Sequence, residues 1–138
     1  MTPFEDKRVA LWGPPEYLES ECPDKLVALA QTLSRLGCRV YPVRSIGELL
    51  ETIEGSPVDL IFAMLCGCFR QPLELLAGSE RGETLPPVVL VTTAFDVALY
   101  LEAMWRGAFD CVAVPLDEKE LIRIATRALN TRCMRLTA

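Results

Sequence analysis

At 138 residues, 51% of them hydrophobic and 24% charged, the chain is long enough to bury one core and too apolar for a disordered segment. A net charge of −5 argues against a surface built for nucleic-acid phosphates, and no apolar run approaches the ~18 residues that a membrane span needs. The N-terminal MTPFEDKRVALWGPP lacks the long apolar core of a signal peptide, so the expectation is a single cytoplasmic domain over residues 1–138.

Lys7 to Trp12 reads as a short apolar strand, stopped by Gly13, Pro14 and Pro15. An acidic stretch, Glu16 to Glu21, leads to Pro23 or Asp24, where a helix opens and runs through Leu36. Leu26, Ala30 and Leu33, with Leu29 or Leu36, share its apolar face. Gly37 is suited to end it in the left-handed conformation.

Cys38 to Val43 is a second strand, and Pro42 near its end predicts an edge position, where a missing N–H costs little. Ser45 is placed to cap a second helix to Glu54, with Ile46, Leu49, Leu50 and Ile53 facing inward. The stretch Val58 to Cys68 then reads as a central strand running into a loop. Apolar residues are almost unbroken from Leu60 to Leu65, as in a parallel strand covered on both faces.

A short helix is expected around Pro72 to Ala77, then a polar loop, Gly78 to Thr84, and a fourth strand, VVLVTT. Asp96 begins a helix through Arg106, and Gly107 ends it. Asp110 to Pro115 carries a fifth strand, and Asp117 caps a last helix with acids in its first turn and arginines toward its end. Strands and helices alternate five times with short connections. That pattern predicts an α/β fold of three layers, a five-stranded parallel sheet doubly wound in the flavodoxin-like manner.

Open parallel sheets bind ligands beyond the carboxyl ends of their strands. After the central strand stand Met64, Leu65, Cys66, Gly67, Cys68 and Phe69, with no acid, base or phosphate cradle. A flavin phosphate after the first strand would need backbone N–H groups that Pro14 and Pro15 lack. The six cysteines contain no CxxC, and the chain has no histidine. Buried reduced thiols are the ordinary reading of such a set. Cys66 and Cys68, at the best-placed strand tip, leave open a redox or soft-metal sensor that would need Cys22 or Cys111 nearby.

From Gly37 to Leu129 the chain resembles the receiver domain of two-component response regulators, the CheY-like family. VDLIFAML falls on the family's third strand, PLELLAG on the helix after it, PPVVLVTTAFD on the fourth strand with its Thr-Ala-x-x-Asp ending, and RGAFDCVAVPLDEKEL on the fifth strand and last helix. The resemblance implies a receiver fold, and it also implies what is missing. The phosphoacceptor aspartate falls at Met64, the two Mg²⁺-holding acids at Gly13 and Pro14, the lysine at Val114 and the aromatic switch at Cys111. Only Thr92 keeps its hydroxyl. The first loop is longer than the family's, and Glu16, Glu19, Glu21 and Asp24 lie in it; a solvated acidic loop is the expectation there.

The chain is therefore expected to be a non-enzymatic pseudo-receiver without cofactor or metal, which docks on a protein partner or on itself. Val97 and Ala98 put apolar side chains where the family's fourth helix is charged, and Trp105 and Met104 cannot both face the sheet. Val97, Ala98, Trp105, Cys111 and Ile124 are the expected interaction face, on the fourth helix, fifth strand and fifth helix that the family uses for docking.

Overall fold

The computed structural model describes residues 4–13, 23–55, 57–65, 71–78, 86–92, 96–113 and 116–137, with backbone alone at 23–26, 77–78 and 131–137. Strands β1 (Arg8–Trp12), β2 (Arg39–Val43), β3 (Leu60–Met64), β4 (Val88–Thr92) and β5 (Asp110–Ala113) alternate with helices α1 (Pro23–Arg35), α2 (Ile46–Gly55), α3 (Gln71–Gly78), α4 (Val97–Trp105) and α5 (Glu118–Thr137). All strand pairs are parallel, in the order β2-β1-β3-β4-β5. β3 is central, and β2, with Pro42, is an edge, as the apolar run and the proline predict.

Strand side chains alternate between the sheet's faces, and that alternation builds two cores. Val9, Leu11, Leu60, Phe62, Met64, Val89 and Val91 pack with Leu29 and Leu33 of α1 and Leu121, Ile124, Ala125 and Ala128 of α5. Ala10, Trp12, Ile61, Ala63, Val88 and Leu90 pack on the other side with Leu49 of α2, Leu73 and Leu76 of α3 and Ala103 of α4. Because both faces are covered, every residue of β3 and β4 is buried.

Local signals position the helices. Ser45 Oγ accepts from the Glu48 N–H (3.1 Å) and the Glu48 carboxylate accepts from the Arg44 N–H (3.2 Å), a reciprocal cap at the start of α2. Asp96 caps α4 by accepting from the Ala98 N–H at 2.9 Å. Gly37 and Gly107, at φ 102° and 103°, turn the chain out of α1 and α4 into the strands that follow. On α2, Leu50 departs from expectation: it is 38% exposed. α2 is ten residues long, and its inward line is filled by Leu49 with Ile46 and Ile53 beside it, which turns Leu50 to the flank.

The sheet's lower end is closed by the N-terminal turn. Phe4 is buried against the α1/α5 core, the Asp6 N–H donates to the Gly37 carbonyl at 3.0 Å, and Asp6 takes a left-handed φ of 63°.

Candidate functional site

The carboxyl ends of β1, β3 and β4 lie side by side at the top of the sheet. Trp12 pairs with Ala63, so Gly13 follows at the height of Met64, and Met64 pairs with Val91, one residue before Thr92. The Gly13 N–H is turned toward β2, donating to the Val43 carbonyl at 3.3 Å. Met64 has no exposed surface and lies on the α1/α5 side with Leu11, Phe62 and Val91. Thr92 is buried and shares the register of Ala113. Met64 and Gly13, two of the positions the resemblance marks, are therefore neighbours, with Thr92 one strand along. Pro14, Val114, Cys66, Cys68, Glu16, Glu19 and Glu21 lie outside the described residues, as does the Asp24 side chain.

This arrangement is chemically sparse. A thioether carries no charge and accepts only weak hydrogen bonds. It is neither the carboxylate nucleophile of acyl-phosphate chemistry nor a ligand for a hard divalent cation. Among the described residues no group of three or more Cys, Asp or Glu is arranged to hold a metal ion.

The two cysteines whose side chains are described, Cys38 and Cys111, are free and buried. Burial pushes both thiols up to about 11, with the Asp59 carboxylate adding to the effect at Cys38 and Asp110 at Cys111. A thiolate is the reactive form, so both should resist alkylation by iodoacetamide at neutral pH while the fold persists. A raised folded-state value also fixes the sign of the pH dependence. Stability held by the neutral thiols is complete below about pH 9 and is lost as pH rises toward 11. Urea midpoints measured from pH 8 to 11 should fall across that window, and the Cys38→Ala/Cys111→Ala double variant should show a shallower fall.

The expected interaction face needs correction. Val97 and Ala98 are exposed, and Trp105 is 89% exposed, so it does not fold back over its own helix. Cys111 and Ile124, by contrast, are buried, at 4% and 2%. Cys111 lies between Asp110 and Val112 on a short strand, and the alternation turns it under α4. Ile124 stands with Leu121, Ala125 and Ala128 at helical spacing on the stripe of α5 that meets the sheet. The exposed apolar surface belongs to α4, where Leu101 (60% exposed) and Met104 (36%) join Val97 and Trp105. Leu101 was legible as the residue four after Val97 and four before Trp105.

No protein-family model matches the chain. Among curated proteins it is 26% identical over 111 residues to the phosphoglycerate transport system transcriptional regulatory protein PgtA of Salmonella typhimurium, covering 79% of this chain and 26% of that protein. It is also 26% identical over 103 residues to the DNA-binding transcriptional regulator NtrC of Azospirillum brasilense, covering 75% of this chain and 21% of that protein. The chain thus spans about a quarter of the length of these relatives. Among solved structures, a response regulator receiver domain from Clostridium thermocellum superposes with a TM-score of 0.73 at 17% identity, covering 93% of this chain and 98% of that one. No described helix is long and apolar enough to cross a membrane. Five parallel strands in this order, the two helical layers and these likenesses converge: the chain has the receiver fold of two-component response regulators.

Proposed function

We propose that this chain is a pseudo-receiver: a cytoplasmic, non-enzymatic signalling module that takes no phosphoryl group and works by docking on protein, not on nucleic acid. The single observation that carries this reading is Met64, fully buried at the tip of the central strand where a receiver holds its phosphoacceptor. Gly13 and Pro14 stand in place of the acids and Val114 in place of the lysine, so the charges that would hold Mg²⁺ and offset a phosphoryl group are missing from the same positions. With Cys111 buried where the family has its aromatic switch, the usual coupling between pocket and surface has no moving part. Docking then falls to the exposed apolar side of α4, since grouped large apolar residues in water mark interaction surfaces.

Intact-mass measurement after incubation with acetyl phosphate and Mg²⁺, and fluorine NMR with beryllofluoride and Mg²⁺, test the reading. The expected result is an unmodified mass and no bound beryllofluoride under conditions in which an ordinary receiver is modified. A stoichiometric adduct would overturn it.

A further inference from the structure

The N-terminal turn, residues 4–7, is tied to one corner of the fold. Phe4 is 2% exposed and shares a core with Leu29 and Leu33 of α1 and with Leu121 and Ala128 of α5. The Lys7 N–H donates to the Phe4 carbonyl at 3.1 Å and closes the turn on itself. The Asp6 N–H donates to the Gly37 carbonyl at 3.0 Å, and the Arg39 N–H donates to the Lys7 carbonyl at 2.7 Å. The Asp6 carboxylate stands 3.6 Å from the Arg39 guanidinium. These ties reach the residues on either side of Cys38, which is 8% exposed and belongs to the same core as Phe4. The turn straddles that thiol.

The turn is also strained. Among the described residues Asp6 is the only one besides glycine with a positive φ, 63°, in a left-handed region that L side chains enter at a cost. Ordering residues 4–6 costs backbone entropy, and the burial of the Phe4 ring and the Asp6–Gly37 hydrogen bond must offset it. The ion pair adds little, because its side chains are 78% and 60% exposed. The chain after the turn is held differently. The Arg8 N–H donates to the Asp59 carboxylate at 2.9 Å, the Arg8 carbonyl accepts from the Asp59 N–H at 2.8 Å, and β1 is paired on both edges. Lys7 marks the boundary between the two regimes.

We infer that residues 4–6 are a latch hinged at Lys7, which swings off the α1–β2 corner while the sheet stays folded and so uncovers Cys38. The latch lies at the end of the sheet away from Met64. It is a conformational device beyond the docking reading and does not rest on it.

The test is iodoacetamide labelling of the intact chain at pH 9, resolved to Cys38 by peptide mass spectrometry. Under the closed latch burial pushes the thiol up to about 11; uncovered, it returns toward its ordinary value and reacts as the thiolate. The expected result is slow labelling that stays flat in low urea and runs about tenfold or more above the rate that global unfolding allows. Phe4→Ala should speed it about tenfold or more, since a buried phenyl ring contributes more than a decade in equilibrium. Two substitutions at Asp6 separate backbone from charge, because both remove the carboxylate. Asp6→Gly accepts the left-handed φ and should label no faster than wild type. Asp6→Val should label roughly fivefold faster, because a β-branched residue is a genuine outlier there. Circular dichroism establishes that each variant is folded. Cys38 labelling that climbs with urea along the global unfolding curve overturns the latch, because the corner then opens only with the whole domain. A rate that Phe4→Ala and Asp6→Val both leave unchanged also overturns it, because the thiol is then reached by another route.

Discussion

Met64→Asp, the substitution that writes the family's acceptor back into the chain, is expected to destabilise the fold by on the order of 3–5 kcal/mol at neutral pH, the scale of an uncompensated buried charge. The position has no exposed surface and shares its core with Leu11, Phe62 and Val91. No lysine stands at 114 to offset a carboxylate. Burial raises the pKa of such an aspartate above its unfolded value. The variant then holds its stability below about pH 4, the ordinary aspartate value, and loses it as pH rises through the folded value. Its deficit against wild type should therefore deepen between pH 4 and pH 7 in urea titrations. Met64→Leu, a nearly volume-conserving exchange, should cost less than about 1.5 kcal/mol. An aspartate variant as stable as wild type at pH 7 would mean that the tip of β3 is wet and polar, and the pseudo-receiver reading would lose its physical basis.

Trp12→Ala should cost about 3–5 kcal/mol, the range for emptying a core site of its largest side chain. Trp12 has no exposed surface and is the last residue of β1. It pairs in register with Val43 and Ala63 and packs on the side of α2, α3 and α4. The small Ala63 beside it leaves the space that the indole fills. A small domain has only about 5–15 kcal/mol in all, so the variant should approach the unfolding threshold at 37 °C. Trp12→Phe should recover most of that stability, because an aromatic ring still spans the gap. A thermal melt in which Trp12→Ala matches wild type would show that the indole does not hold the upper end of the sheet.

The sequence was most informative where local and global signals agree. Leu60 to Leu65 reads as a buried strand because both faces of a central parallel strand meet apolar layers, and Ser45, Asp96, Gly37 and Gly107 mark helix ends because each makes a specific backbone bond or angle. Met64 as a chemical blank was legible too, since strand tips are where this fold does its work. Facing directions were harder. Cys111 sits on a four-residue edge strand, too short for its alternation to declare in the sequence that it lies under α4. Ile124 failed for a different reason: its stripe on α5 includes Ala125 and Ala128, small residues that do not register as a core face until the helix is seen packed close to the sheet. α4 has one charged residue, Glu102, among nine, so little besides its spacing from Val97 and Trp105 marks Leu101 as exposed.

The thin anchoring of α4 has a consequence for which parts of the domain open first. Its one fully buried residue is Ala103, helped by the half-buried Leu99 and Tyr100, whereas β3 is buried throughout and bonded along both edges. Amide protons of β3 should exchange with deuterium only through global unfolding, and those of α4 through a cheaper local opening. Whatever covers Val97, Leu101 and Trp105 closes that local route by adding the buried surface the helix lacks. Slowed exchange confined to α4, with β3 unchanged, is then the signature of an occupied docking face.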